Sequence, residues 1–188
     1  MKIISFPSFG KDRFERLLEP HFDQLYRLAY RFTSQRDEAE DLVQELLVRL
    51  YPKRKQLEEI EDLRPWLARV LYNLYIDTHR ARRRSPIDQN DDEASEHLER
   101  LSDTSGDPLE IESRRQNQQL LAEAMTQLSE AHRDLLILHD MEGYSLPELN
   151  EILDLPLGTL KSRLHRAREA LRQVLSREPF DVLRRVNQ

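Results

Sequence analysis

Residues 145–171 read SLPELNEILDLPLGTLKSRLHRAREAL, and this stretch decides the fold. Ser145-Leu146-Pro147-Glu148 has the form of a capping box: a hydroxyl at the cap, a glutamate three residues on to reach back, and a proline inside the first turn. It predicts a short helix over Pro147–Leu153 that stops near Asp154, with a second helix beginning after Pro156-Leu157-Gly158. In that second helix Leu160, Leu164, Ala167 and Leu171 recur at helical spacing and face inward, leaving Lys161, Ser162, His165, Arg166 and Arg168 outside. Two helices joined by a three- to four-residue turn are the helix-turn-helix pattern. Hydrogen-bond donors crowd the start of the second helix, where a recognition helix enters the major groove. The competing reading is a plain helical hairpin with a basic face.

Working outward, Leu120, Leu121, Ala124 and Leu128 form one helical stripe, and Leu135, Leu136, Leu138 and His139 another. Further upstream, Phe22, Leu25, Leu28, Ala29 and Phe32 mark an amphipathic helix. Asp37-Glu38-Ala39-Glu40 reads as a second capping box, opening a helix that buries Ala39, Leu42, Val43, Leu46, Leu47 and Leu50 and presents Asp41, Gln44, Glu45 and Arg49. Pro65 suits the first turn of a third helix, whose apolar side is Trp66, Leu67, Val70, Leu71 and Leu74. On that helix Arg69, Asn73, Asp77, Arg80 and Arg84 fall close to one stripe, and Asn and Arg on one face can read base edges and grip phosphates. Tyr72, Tyr75 and His79 lie nearby, able to stack on unpaired bases or to serve as boundary aromatics.

Composition narrows the class. The chain has 188 residues, no Cys, 4 Gly and 9 Pro. Disulfides, thiolate zinc sites, thiol catalysis and a Gly-punctuated nucleotide-binding fold are thereby excluded. No run approaches the ~18 apolar residues that span a bilayer, and Met1–Gly10 lacks the pattern of a cleaved leader, so a cytoplasmic protein is expected. The net charge of −6 hides a segregation. Leu63–Arg84 holds 6 basic residues against 1 acidic, Ser85–Ser113 holds 10 acidic against 1 basic, and Leu157–Arg177 again holds 6 basic against 1 acidic. Two basic blocks separated by an acidic, apolar-poor bridge predict two polyanion-binding modules and a linker. The expected fold class is all-α: two small helical modules joined by a flexible acidic linker. The boundaries are 10–84, a linker at 85–113, 114–177, and a tail at 178–188.

The motifs resemble a known family. Ala39-Glu40-Asp41-Leu42-Val43-Gln44-Glu45, followed by Trp66-Leu67-Ala68-Arg69-Val70 and then Asn73 and Asp77, is similar to region 2 of bacterial extracytoplasmic-function sigma factors. Gly158-Thr159-Leu160-Lys161-Ser162-Arg163-Leu164-His165-Arg166-Ala167-Arg168 resembles the close of their region 4. The resemblance implies a subunit that binds core RNA polymerase and directs it to promoter DNA. By position, Asp41, Gln44, Glu45 and Arg49 would dock on the clamp helices of the largest polymerase subunit, with region 4 toward the flap. Arg69, Asn73, Asp77, Arg80, Arg82, Arg83 and Arg84 would serve the −10 element. Lys161, Ser162, Arg163, His165, Arg166 and Arg168 would serve the −35 element, Arg163 and Arg168 through its phosphates. The resemblance also implies an anti-sigma partner and no cofactor, metal or membrane insertion. A 29-residue linker reaches ~95 Å when extended, beyond the ~58 Å of roughly seventeen base pairs. Asn150 stands where the family has a small Ala, and Asp154 where it has Gly. A buried amide at 150 would cost ~1–3 kcal/mol without partners, whereas Asp tolerates the left-handed turn.

Two other classes compete with this reading. A free-standing helix-turn-helix regulator explains 157–177 but leaves Asp41, Gln44, Glu45 and the first basic block without purpose. An enzyme finds no support: the chain has no His-x-x-x-His or Glu-x-x-His spacing and no Gly-rich phosphate loop.

Overall fold

The protein, studied as a computed structural model, is described for the backbone of residues 13–84 and 108–177 and for the side chains of 13–78 and 116–177. Residues 85–107 of the expected linker 85–113, the tail 178–188 and the side chains of His79, Arg80 and Arg82–Arg84 lie outside the described residues. Every described element is helical, as the apolar spacings require. The chain divides into two units, Met1–Asn90 with Tyr144–Leu155, and Asp91–Gly143 with Pro156–Gln188.

The first unit begins with α1 (Arg13–Leu18), a 3-10 turn through Pro20, and α2 (Phe22–Thr33). Leu25, Leu28, Ala29 and Phe32 of α2 are buried, on the predicted stripe. The helix stops where Ser34 turns left-handed (φ 57°) and its N–H donates to the Tyr30 carbonyl at 2.8 Å. From extended Gln35 the chain enters α3 (Arg36–Leu50), which packs on α2 through Ala39, Leu42, Val43, Leu46 and Leu50. The capping box expected at Asp37 does not form. The helix starts earlier, so Asp37 sits inside the first turn, and Glu40 instead accepts from Arg36 Nε at 2.9 Å. The short α4 (Arg54–Leu57) buries Leu57 and leads to α5 (Leu63–Arg84), with Asp62 Oδ1 accepting from the Arg64 N–H at 3.2 Å.

Leu67, Ala68, Leu71 and Leu74 put α5 into contact with α2 and α3. Completely buried leucines such as Leu28, Leu46 and Leu67 each contribute about 1.5–3 kcal/mol relative to exposure. Tyr75 is buried with its ring stacked on Phe32 at 4.9 Å and 12°, and Tyr72 is tilted against the same ring at 5.6 Å. Tyr75 therefore extends the core, and Tyr72 lies half-buried at its edge. The last element of this unit is α8 (Leu146–Leu153), which lays Leu149 and Ile152 against α5.

The second unit contains α6 (Pro108–Thr126), α7 (Glu130–Leu136) and α9 (Leu157–Leu175). Helix α6 opens on Pro108, inside the stretch read as linker, because proline is pre-set for a first helical turn. Helix α7 runs into a π turn, Ile137–Met141, closed by the Glu142 N–H on the Ile137 carbonyl at 2.9 Å. Ala124, Met125 and Leu128, Leu135 to Leu138, and Leu160, Leu164, Ala167 and Val174 make its core, with both α6 and α7 packed on α9.

Candidate nucleic-acid interface

Helix α9 carries an open basic surface. Burying Leu160, Leu164 and Ala167 leaves Lys161, Ser162, Arg163, His165 and Arg166 exposed along its first three turns. Ser162 Oγ donates back to the Thr159 carbonyl at 2.9 Å, and Arg166 Nε to the Ser162 carbonyl at 3.3 Å. Lys161, Arg163 and Arg166 have no carboxylate partner among the described residues. Arg168 differs. Its Nε and Nη2 donate to the two oxygens of Asp140 at 2.9 and 2.5 Å. Arg172 pairs with Glu169 on the same helix. The positive charge of α9 is thus free near its N-terminal end and neutralised further along.

On α5, Arg69, Asn73 and Asp77 are exposed and successive at helical spacing, forming a polar stripe opposite the buried leucines. Its expected continuation, through Arg80 and Arg82–Arg84, lies outside the described side chains.

On α3, Asp41, Gln44, Glu45 and Arg49 share an exposed face, with Val48 among them at 72 % exposure. Arg49 donates through Nη2 and Nε to Glu45 Oε1 at 2.6 and 3.0 Å, which leaves Asp41 as the less compensated charge. Asp41 and Glu45 also line, with Glu38, Thr33, Leu42, Tyr75 and Thr78, a cavity of about 70 Å³ between α3 and α5.

Sequence reading passed over one further cluster in the first unit. Arg64 donates from Nη1 to Glu148 Oε1 at 2.6 Å and from Nε to Gln24 Oε1 at 3.2 Å, while its guanidinium lies 4.1 Å from the centroid of the buried Tyr144 ring. The other carboxylate oxygen of Glu148 accepts from the Ser145 N–H and Oγ–H at 2.7 and 2.6 Å, so the capping box is complete. Burial pulls the Glu148 carboxyl upward, but the Ser145 donors and Arg64 outweigh it and hold the group below its ordinary value. Arg64 and Glu148 are 84 positions apart, and nothing local in the sequence marks them as partners.

The two departures, Asn150 within α8 and Asp154 in the turn after it, resolve differently. Asn150 is exposed, not buried, and its Nδ2 donates to the Leu155 carbonyl at 2.8 Å, so the expected desolvation cost does not arise. Asp154 takes the left-handed conformation at φ 53°.

Among the described residues, no group of three or more His, Asp or Glu is arranged to hold a metal ion, and no helix is long and apolar enough to cross a membrane.

Residues 17–85 match the family described as Sigma-70 region 2, and residues 118–171 match Sigma-70, region 4. The ECF RNA polymerase sigma factor SigW of Bacillus subtilis is 32 % identical over 170 residues, covering 88 % of this chain and 90 % of that protein. SigE of Mycolicibacterium smegmatis is 32 % identical over 168 residues, covering 89 % of this chain and 63 % of its own. In solved structures, the sigma factor RpoE of Bartonella quintana, crystallised with the anti-sigma factor NepR, superposes with a TM-score of 0.67 at 28 % identity, covering 88 % of this chain and 98 % of that one. With both family regions matched in order and a relative 32 % identical over 170 residues, the chain belongs to the extracytoplasmic-function group of the sigma-70 family.

Proposed function

We propose that this alternative sigma factor, which directs core RNA polymerase in promoter-specific initiation, divides its work among the three surfaces described. The exposed α3 face, Asp41 and Gln44 with the Glu45–Arg49 pair, docks on the clamp helices of the largest polymerase subunit. Asp41 supplies the uncompensated charge and Val48 an apolar contact. The α5 stripe of Arg69, Asn73 and Asp77, continued by Arg80 and Arg82–Arg84, takes the −10 element. The start of α9 takes the −35 element: Lys161, Ser162, His165 and Arg166 toward base edges, Arg163 toward phosphate. The observation that carries this is the contrast between α3 and α9, whose exposed faces differ in sign and suit a protein partner and DNA respectively.

Specificity comes from donors aimed at base edges, and affinity from phosphate contacts, which carry no sequence information. The division assigns no catalytic residue. Its setting is cytoplasmic, where polymerase and promoters are, with region 4 toward the polymerase flap. An anti-sigma factor, the kind of partner bound by the Bartonella relative, would silence the chain by covering the α3 face.

The test is co-elution of the purified chain with sigma-free bacterial core polymerase, followed by run-off transcription on genomic fragments. Co-elution with new start sites is expected, and the starts define the −10 and −35 letters. Tight binding to duplex DNA without any association with core would overturn the proposal in favour of a free-standing regulator.

A further inference from the structure

We propose that Asp140, on the π turn Ile137–Met141, is a positioning residue for the −35 contact: it holds the Arg168 guanidinium and keeps it from DNA phosphates, limiting the sequence-independent part of the affinity. The inference rests on the assignment of α9 to DNA and adds to it a residue outside the recognition helix.

Arg168 follows Lys161 and His165 at i, i+4 and i+7, so it lies on their face of α9. Left free, it would extend the cationic surface by a further turn. A guanidinium binds a carboxylate and a phosphate with the same two-pronged geometry. Asp140 supplies that geometry at 2.9 and 2.5 Å and therefore competes with the nucleic acid for the same donors. Unlike Glu169, which pairs with Arg172 within α9, Asp140 comes from another element 28 positions away. The Glu142 N–H on the Ile137 carbonyl closes the turn that carries it.

The consequence concerns sequence-independent affinity. An additional phosphate contact tightens binding to every sequence by the same factor and steepens its salt dependence, leaving the ratio of specific to non-specific affinity unchanged. Holding Arg168 confines the free cations of α9 to Lys161, Arg163 and Arg166, near the end where base edges are read. Asp140 thereby keeps the salt-dependent, sequence-independent affinity of α9 lower than its count of arginines would give.

Holoenzyme reconstituted from the full chain and core polymerase is titrated with a promoter duplex carrying the −35 element defined by run-off, and with the same duplex scrambled at −35. Salt is varied from ~50 to ~200 mM. Asp140→Asn should tighten both at low salt by the same factor, leaving the ratio between them unchanged. Its log K against log salt should steepen by about 0.9, which is about 3.5-fold more weakening across the range, for one added phosphate. Asp140→Glu should keep the wild-type slope, and Asp140→Asn combined with Arg168→Gln should restore it. A folded Asp140→Asn holoenzyme with the wild-type slope overturns the inference. If Asp140→Asn does not fold, Arg168→Gln alone decides: a wild-type slope supports it, and a slope flatter by about 0.9 shows that Arg168 already grips phosphate and overturns it. Wild-type holoenzyme that ignores the −35 change would instead refute the assignment of α9, and this inference with it.

Discussion

Replacing Glu148 with Gln tests whether the charge at the start of α8 ties that helix to its unit. The carboxylate accepts three hydrogen bonds, two from Ser145 and one from Arg64, and is only 19 % exposed. Gln keeps the size and one acceptor but loses the charge and the second acceptor, so either the cap or the Arg64 contact must go. Loss of a cap costs about 0.5–2 kcal/mol, and a partly exposed ion pair adds up to about 1 kcal/mol. A net destabilisation of about 1–2 kcal/mol follows at neutral pH. Trp66, the sole tryptophan, lies on α5 and reports on this unit by fluorescence. With a urea dependence of about 1–2 kcal/mol per molar, the midpoint should fall by roughly 1 M.

The pH dependence fixes the cause. The folded Glu148 carboxyl is held below its ordinary value, so its stabilisation is present above the unfolded value and is lost as pH falls through the folded one. The gap between wild type and Glu148→Gln should therefore be full at pH 7 and close in acid. Equal midpoints at pH 7, or a gap that does not narrow on acidification, would refute the reasoning.

Further outcomes are expected from the same structure. Asp41→Lys combined with Glu45→Lys should abolish co-elution with core polymerase while shifting the Trp66 urea midpoint by no more than about 0.5 kcal/mol equivalent, because both sites are exposed. Arg166→Ala should cost ~1–3 kcal/mol on a matched −35 duplex and relax discrimination there; equal weakening on all sequences would make it a phosphate contact. Asp154→Gly relieves a left-handed residue and should stabilise by about 0.5–1 kcal/mol in chemical denaturation, whereas Asp154→Val should destabilise by at least as much. Leu28→Ala, at a completely buried site, should cost about 2–5 kcal/mol by the same Trp66 measurement.

The helices were legible because their determinants are local. The stripes through Leu25, Leu28 and Phe32 and through Leu160, Leu164 and Ala167 are buried as their spacing predicts. The Ser145 box forms because its donors and acceptors lie within one turn. The Asp37 box was misread for the opposite reason: the same letters tolerate a helix that starts earlier, once Ser34 goes left-handed and Arg36 offers Glu40 a partner. Tyr75 shows the limit of composition, since a ring suited to stacking on a base stacks equally well on Phe32.

By itself, then, the sequence determined which segments are helical, which face of each is apolar, and which family the exposed residues belong to. Periodicity, caps and motif spacing are properties of neighbours in the chain. It did not determine what each apolar face meets. Leu149 and Ile152 announce a buried side of α8, but only the tertiary structure sets that side on α5. Nor did it reveal which cations are already spoken for. Arg64 with Glu148 and Arg168 with Asp140 are pairs of groups distant in sequence. An ion pair depends on separation in space, and that is fixed only when the chain has folded.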